Sequence, residues 1–246
     1  MNRKGIFQTV GMIDDDLIAQ AGNPAGKIKR LKIWKIAAVS AAAVMLLGAT
    51  VLAAGILLGG RGGHSLNIPS YYSVPDPQVL QRDIGIAPKV AAEFSNGYRF
   101  DSGYIAQNED YNTDGSVYEA YLGLQCCYKK GNDSINLYID AAAAGIQLSD
   151  AEKAGVNRGS QLMYYAYANK LAPPDYQMTE QDKKDEESGK YVFTYGSAQI
   201  EVQEVQGLAW EYHGLNFELI AVGTETSMDE LAQMARELID LQEETR

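Results

Sequence analysis

The longest apolar run of the chain lies in its first quarter and has the length of a membrane-spanning helix. Residues 36–58 contain no charged side chain over twenty-three positions. As a helix they extend about 35 Å, which is enough to cross a hydrocarbon layer of about 30 Å. Residues 51–53 resemble a signal-peptidase site, so a cleaved signal peptide is the alternative. The length of the run, and of the region before it, favours an uncleaved transmembrane helix over residues 33–59.

The alternation of apolar and polar residues changes after this run. Residues 60–76 are rich in Gly, Ser, Pro and Asn, which is typical of a linker. Strands are then predicted over residues 98–106, 117–128, 134–141, 161–170, 191–195 and 198–205, with a closing hairpin over 208–222 that turns at His213 and Gly214. Helices are predicted over residues 77–92 and after the capping residues Thr179 and Ser227, with a shorter one after Ser149. This order predicts an α+β domain over residues 77–246, an antiparallel sheet with helices on one face.

The distribution of charge sets the predicted orientation in the cell membrane. Five basic residues lie just before the apolar run, and only Arg61 follows it closely. The positive-inside rule therefore places a tail of residues 1–32 in the cytoplasm and the C-terminal domain outside. Residues 61–246 carry fourteen Lys and Arg against twenty-nine Asp and Glu, a net charge of −15. Because phosphate backbones repel such a domain, we expect no nucleic-acid partner.

The predicted cytoplasmic tail has an amphipathic pattern of its own. Apolar residues recur in it at the spacing of one helix face, beside three consecutive aspartates. A helix this short is marginal alone in water and needs a surface to cover its apolar side. Lipid is disfavoured because no basic residue is interleaved with the aspartates, so we predict a protein partner. The candidate contact residues are Ile6, Phe7, Val10, Ile13, Asp14, Asp15, Asp16 and Leu17. A tail with no role beyond topology is the alternative.

The sequence contains no established catalytic pattern. His64 and His213 are far apart and lack metal-binding spacing, and no phosphate-binding glycine loop or serine-nucleophile elbow is present. Cys126 and Cys127 are adjacent, and neighbouring side chains of a strand point to opposite faces, which disfavours a disulfide between them. We therefore expect a protein that is not an enzyme and needs no cofactor.

Two segments each have two interpretations. Residues 110–115 match the opening of a calcium-binding loop, but Tyr121 stands where that loop requires a glutamate, and Asn, Asp and Gly also form ordinary turns. Tyr164, Tyr165 and Tyr167 can line a ligand groove, or they can pack in the core with their hydroxyls at its edge.

Several longer segments carry a resemblance to a known group of proteins. They are GMIDDDLIAQA at 11–21, FSNGYRF at 94–100, NKLAPPDYQMTEQDK at 169–183, GLAWEYHGLNFELIAVG at 207–223 and SMDELAQMARELI at 227–239. Together they resemble uncharacterised clostridial single-pass membrane proteins with a DUF4367-like extracytoplasmic domain. The resemblance implies an outer sensing domain for an unknown ligand and an anti-sigma-factor-like tail that binds a cytoplasmic sigma factor. The alternative is an anchored extracytoplasmic binding or envelope-assembly module without a cytoplasmic signalling role.

Overall fold

The computed structural model describes residues 61–65, 68–111, 116–141 and 151–244. The predicted tail (residues 1–32) and transmembrane helix (33–59) lie outside the described residues. So do the predicted contact residues of the tail, Ile6, Phe7, Val10, Ile13, Asp14, Asp15, Asp16 and Leu17. Within the described ranges, no helix is both long and apolar enough to cross a membrane.

The described residues form nine strands and three helices. The strands are β1 (Arg61–Ser65), β2 (Arg99–Tyr111), β3 (Val117–Lys130), β4 (Asp133–Asp140), β5 (Glu152–Asn157), β6 (Ser160–Ala172), β7 (Val192–Tyr195), β8 (Glu201–Tyr212) and β9 (Leu215–Val222). The helices are α1 (Pro77–Ile84), α2 (Glu180–Glu187) and α3 (Met228–Glu243). One sheet contains all the strands, in the order β1-β2-β3-β4-β9-β8-β6-β5, and β7 also pairs with β6. The predicted α+β class is confirmed, with one parallel pair, β6–β7, in an otherwise antiparallel sheet.

One face of the sheet, which we name the core face, packs against α3 and α1. Ile135, Leu137 and Ile139 of β4 alternate toward it and are at most 1% exposed, as their sequence pattern predicts. Trp210 of β8 stacks on Phe217 of β9 with ring centroids 5.2 Å apart. The predicted apolar stripe of α3 completes this cluster with Leu231, Met234, Ala235 and Leu238. Each fully buried side chain of this kind stabilises the fold by about 1.5–3 kcal/mol.

Both ends of α3 are capped by side chains. Ser227 and Glu230 form the predicted capping box at its start, each side chain accepting a hydrogen bond from the other residue's backbone N–H. At its end, Lys89 Nζ donates to the carbonyl oxygens of Leu241 and Gln242 at 3.2 and 3.3 Å. The last turn of α3 has no basic residue. A lysine from the beginning of the domain therefore balances the negative end of the helix dipole.

Two short strands occur where the sequence pattern indicated other structure. Arg61–Ser65, within the expected linker, pairs with the thirteen-residue strand β2. This pairing is made by backbone hydrogen bonds, which require no particular side chain, so the side-chain pattern did not indicate it. Glu152–Asn157, expected as a short helix, is β5. It is joined to β6 by Arg158 and Gly159, both with positive φ (46° and 86°). Two consecutive residues with positive φ form the tight turn of a two-residue β-hairpin, so the turn directs this segment back along β6.

Helix α2 is attached to β6 by the carboxylate of Asp182, whose side chain is 4% exposed. One of its oxygens accepts from Lys170 Nζ at 2.5 Å, and the other accepts from Tyr176 Oη at 2.6 Å and Thr179 N at 2.8 Å. The hydrogen bond from Lys170, with those from Tyr176 and Thr179, holds the pKa of Asp182 well below its usual range. The ionised form is thus the one that stabilises the folded domain.

We predict that Asp182→Asn destabilises the domain at neutral pH and that this effect disappears in acid. Because the folded-state pKa lies below the unfolded value of about 3.9, the stabilisation is complete above that value and is lost as the pH falls through the folded pKa. Urea unfolding followed by circular dichroism should show the largest difference in stability between variant and parent at pH 7, and the difference should shrink steadily as the pH falls below about 4.

Glu180→Gln is the matched control, since Glu180 lies on the same helix and forms an ion pair with Lys183. The side chain of Glu180 is 83% exposed and that of Lys183 is 54% exposed. Exposed pairs contribute little, so this variant should follow the parent at every pH. An Asp182→Asn variant as stable as the parent at pH 7 would show that the carboxylate does not hold α2 in place.

Candidate ligand-binding site

Aromatic and polar side chains line the face of the sheet opposite the core face. Because neighbouring residues of a strand point to opposite faces, residues paired across strands share a face. One row across four strands is Tyr104, Gln125, Tyr138 and Glu218. Beside Glu218, the same face continues into Tyr165 and Tyr167 of β6, which pair with Gly207 and Val205 of β8. We name this surface the tyrosine face, after Tyr138, Tyr165 and Tyr167.

The centre of the tyrosine face is a hydrogen bond that spans three strands. Tyr165 on β6 donates from its hydroxyl to Glu218 Oε1 on β9 at 2.7 Å. Strand β8 lies between them, and the residue beneath the ring is Gly207. A Cβ at this position would lie 2.0 Å from Tyr165 Cζ. The absence of a side chain at Gly207 thus lets the ring cross the strand and reach the carboxylate.

Gly207 also explains a difference from the sequence-based expectation. The pattern predicted a strand over 198–205 and, separate from it, a hairpin over 208–222. The structure has the single strand β8, Glu201–Tyr212, through this position. Its neighbours β6 and β9 pair with it on both sides, at Tyr165 and Ile220, so the backbone hydrogen bonds persist through the glycine.

Two aromatic rings of this face lie side by side and are partly accessible to solvent. Tyr165 and Tyr167 are half-buried, and their rings are nearly parallel, at 11°, with centroids 6.2 Å apart. Burial raises the pKa of both phenols above the usual value, and the nearby charge of Glu218 raises it further. The same two causes, in the same order, raise the pKa of Tyr138. All three phenols are therefore neutral hydrogen-bond donors at physiological pH.

Gln125 provides an acceptor on the same face. Its side chain is buried, at 4% exposure, and its Nε2 donates to Asn136 Oδ1 at 3.3 Å. Its Oε1 accepts no hydrogen bond from any group of the described residues. Buried polar atoms in proteins are almost always hydrogen-bonded, because leaving one unsatisfied costs about 1–3 kcal/mol. Gln125 pairs with Tyr138 in register, so its buried amide lies next to this tyrosine on the tyrosine face.

The three tyrosines singled out in the sequence are not all part of this surface. Tyr165 and Tyr167 lie on the tyrosine face, whereas Tyr164 packs against the core cluster and donates to Gln206 Oε1 at 2.8 Å. The core interpretation therefore holds for Tyr164, and Tyr165 and Tyr167 lie on the opposite side of β6. The adjacent cysteines divide in the same way, with Cys126 in the core and the half-buried Cys127 on the tyrosine face, both as free thiols.

The calcium-loop candidate and His213 lie at the ends of strands. Asp110 and Tyr111 end β2, and the pairing of Tyr111 with Val117 makes the segment between them the connection of a hairpin. His213 is at the β8–β9 turn with a φ of 51°, and its ring stacks on Tyr212 with centroids 4.2 Å apart. Within the described part of the chain, no three His, Cys, Asp or Glu side chains lie close enough together to hold a metal ion.

Glu218, Gln125 and Gly207 escaped the sequence analysis because none belongs to a recognised motif. One signal was present, since Glu218 is the single charged residue of the strand LNFELIAV. A carboxylate in a buried strand requires partners, and this is a reason to examine its surroundings. The identity of those partners depends on strand register, which the alternation of residues does not determine.

Comparison with known proteins gives no relative from which a ligand or a role can be transferred. No family model, curated protein or solved structure matches this chain. The resemblance to sigma-factor-associated membrane proteins stays a prediction, and the argument for a site depends on the geometry of the tyrosine face.

We predict that Gly207→Ala destabilises the domain by about 1–3 kcal/mol, the usual effect of adding a methyl group where no space exists. The new Cβ must displace the Tyr165 ring and break its hydrogen bond to Glu218. Urea unfolding measures the free-energy change, and the near-ultraviolet circular dichroism of tyrosine should change as well.

A double-mutant cycle provides the control. In a Tyr165→Ala background no ring occupies the space above Gly207, so the added methyl group should have little effect. An equal loss of stability with and without the ring would show that the Cβ conflicts with something other than Tyr165.

Proposed function

We propose that this protein is a membrane-anchored regulator whose outer domain binds a ligand on the tyrosine face and whose N-terminal tail contacts a cytoplasmic partner. The binding role is carried by one observation. The buried Oε1 of Gln125 lacks a hydrogen-bond donor among the described residues, on a face whose tyrosines are partly accessible. A donor supplied by a ligand or by an ordered water would complete the hydrogen bonding of this oxygen.

The anchoring part of the proposal depends on the sequence of the N-terminal region. The uncharged run of residues 36–58 and the basic residues before it support a single span, with the tail in the cytoplasm. A ligand outside the cell and a partner inside it are then connected through one helix.

The cytoplasmic partner that we propose is a sigma factor. Support comes from the resemblance of residues 11–21 to the tails of sigma-factor-associated proteins and from the chemistry of the segment. Asp14, Asp15 and Asp16 would meet basic residues of the partner, while Ile6 and Val10 contribute to the apolar contact.

The second candidate function is an anchored binding or envelope-assembly module. It is favoured by the fact that the tyrosine face consists of residues of the sheet alone, so that binding on it requires no part of the tail. In this case the tail determines topology and nothing else.

A pull-down from membranes separates the two candidates. The full-length protein is cross-linked in cells, purified, and its partners are identified by mass spectrometry. The comparison is with a variant in which Asp14, Asp15 and Asp16 are all replaced by Lys. The regulator predicts a sigma factor that is recovered with the parent and strongly depleted with the variant, because the charge complementarity has been reversed.

Gly207→Ala is the control in this experiment, since it disturbs the outer domain and leaves the tail intact. It should recover the same sigma factor as the parent. If instead parent and triple variant recover the same set of envelope proteins and no sigma factor, the regulator is excluded and the anchored module is supported.

A further inference from the structure

We infer that the end of the β2–β3 hairpin rests in the lipid headgroup layer outside the proposed transmembrane helix. We name this end the hairpin tip, and it is marked by the last paired residues of the two strands, Asp110 with Glu119 and Tyr111 with Val117. The inference rests on the proposed function, because it assumes that residues 36–58 span the membrane. It adds an interaction surface of the outer domain and the partner of that surface, a lipid layer.

The length of chain between the proposed span and the sheet is the first reason. The apolar run ends at Leu58, and β1 begins at Arg61. Three residues reach at most about 10–11 Å when the chain is fully extended. The headgroup layer on each side of a bilayer is about 5–8 Å thick, because a hydrocarbon core of about 30 Å lies within a total of about 40–45 Å. Arg61 therefore lies in this layer or directly outside it.

The register of the sheet brings the hairpin tip to the same level, which is the second reason. Arg61 pairs with Asp110, and Asp110 pairs with Glu119. Neighbouring strands are about 4.8 Å apart, so the backbone of both partners lies within about 10 Å of Arg61. From Arg61 the chain follows β2 to Ser65, which pairs with Ala106. Because β1 begins beside the membrane and leads away from it, the opposite end of β2 points back to the lipid.

The hairpin also extends beyond the neighbouring strand of the sheet. Strand β4 pairs with β3 from Leu124 to Lys130. Strand β3 begins at Val117, so residues 117–123 continue past this pairing by about 20 Å. Strand β1 accompanies the same part of the hairpin, through its pairing with residues 106–110 of β2. The three strands form an arm whose tip can touch the lipid while the rest of the sheet stays in water.

The residue types at the hairpin tip fit the headgroup layer of zwitterionic lipids. Val117 is 50% exposed, and contact with lipid would remove this apolar side chain from water. Its register partner is Tyr111, and tyrosine is a residue enriched where membrane meets water. Glu109, Asp110 and Glu119 make this end of the arm acidic. Anionic headgroups would be repelled by these charges, whereas the outer ammonium group of a zwitterionic headgroup would be attracted.

Quenching of a fluorescent label by lipid-bound nitroxides tests the inference. The full-length protein, with Cys126 and Cys127 replaced by Ala, carries a nitrobenzoxadiazole label on one new cysteine. Val117→Cys places the label at the hairpin tip. Asn132→Cys is the matched control, because Asn132 is exposed and lies in the turn at the other end of β3. Both proteins are reconstituted in phosphatidylcholine bilayers that contain phosphatidylcholine with a nitroxide on its headgroup. We expect the label at the tip to lose most of its fluorescence and the control label to keep it, and circular dichroism confirms that each variant is folded.

The unmodified protein gives a second measurement that requires no variant. It is irradiated in bilayers that contain a phospholipid with a diazirine on its headgroup, digested with trypsin, and its lipid adducts are located by mass spectrometry. Cleavage after lysine and arginine leaves the hairpin tip in the peptide 100–129 and the start of α2 in the peptide 171–183. Four antiparallel pairings separate β3 from β6, so the two strands run in the same direction and the second peptide begins at the far end of β6. We expect adducts on the first peptide and none on the second.

Two results would overturn the inference. They are equal fluorescence of the labels at positions 117 and 132, and lipid adducts that are no more frequent on the peptide 100–129 than on 171–183. An alkaline carbonate wash of the bilayers separates this failure from a failure of the proposed function. A protein that the wash removes has no anchor, which contradicts both. A protein that resists the wash while its label at position 117 stays bright keeps the anchor and excludes the lipid contact of the hairpin.

Discussion

The burial of the α3 stripe against one face of the sheet is the constraint on which the rest of the domain depends. It requires apolar residues at alternate positions of β3, β4, β8 and β9, and the Trp210–Phe217 stack lies at the centre of the cluster that results. The intervening residues of the same strands point to the other face of the sheet. They include Gln125, Tyr138 and Glu218, beside the buried Val205, Ala209 and Ile220, and they form the candidate binding surface.

The tyrosine face combines polar groups that would each, taken alone, lower the stability of the fold. A carboxylate in an apolar strand and a buried amide oxygen both lower the stability of a fold unless other groups compensate for them. Tyr165 compensates in part by reaching Glu218 across Gly207. Binding sites commonly retain polar groups that a domain selected for stability alone would replace. This balance distinguishes the tyrosine face from the exposed side of an ordinary two-layer fold.

The sequence predicted the elements of the fold better than it predicted the contacts between them. Strict alternation identified β4, and the capping boxes at Thr179 and Ser227 identified α2 and α3, because these signals are local. The course of β5 and the continuity of β8 were missed, since both depend on neighbouring strands. The candidate site likewise depends on neighbouring strands and not on local signals. Tyr165, Gly207 and Glu218 are far apart in the chain, and only the register of three strands brings them together.

The position of β9 has a consequence for the order in which the chain can fold. Strands β1 to β4 form a meander of consecutive neighbours, but the described sheet continues from β4 through β9, which is the last of the described strands in chain order. Until β9 and α3 have been synthesised, the apolar side chains of β4 have no cover. A chain that emerges from its N-terminus onward therefore keeps half a sheet open until β9 and α3 have appeared. During this interval the domain depends on the speed of synthesis and on chaperones for protection from aggregation and proteolysis.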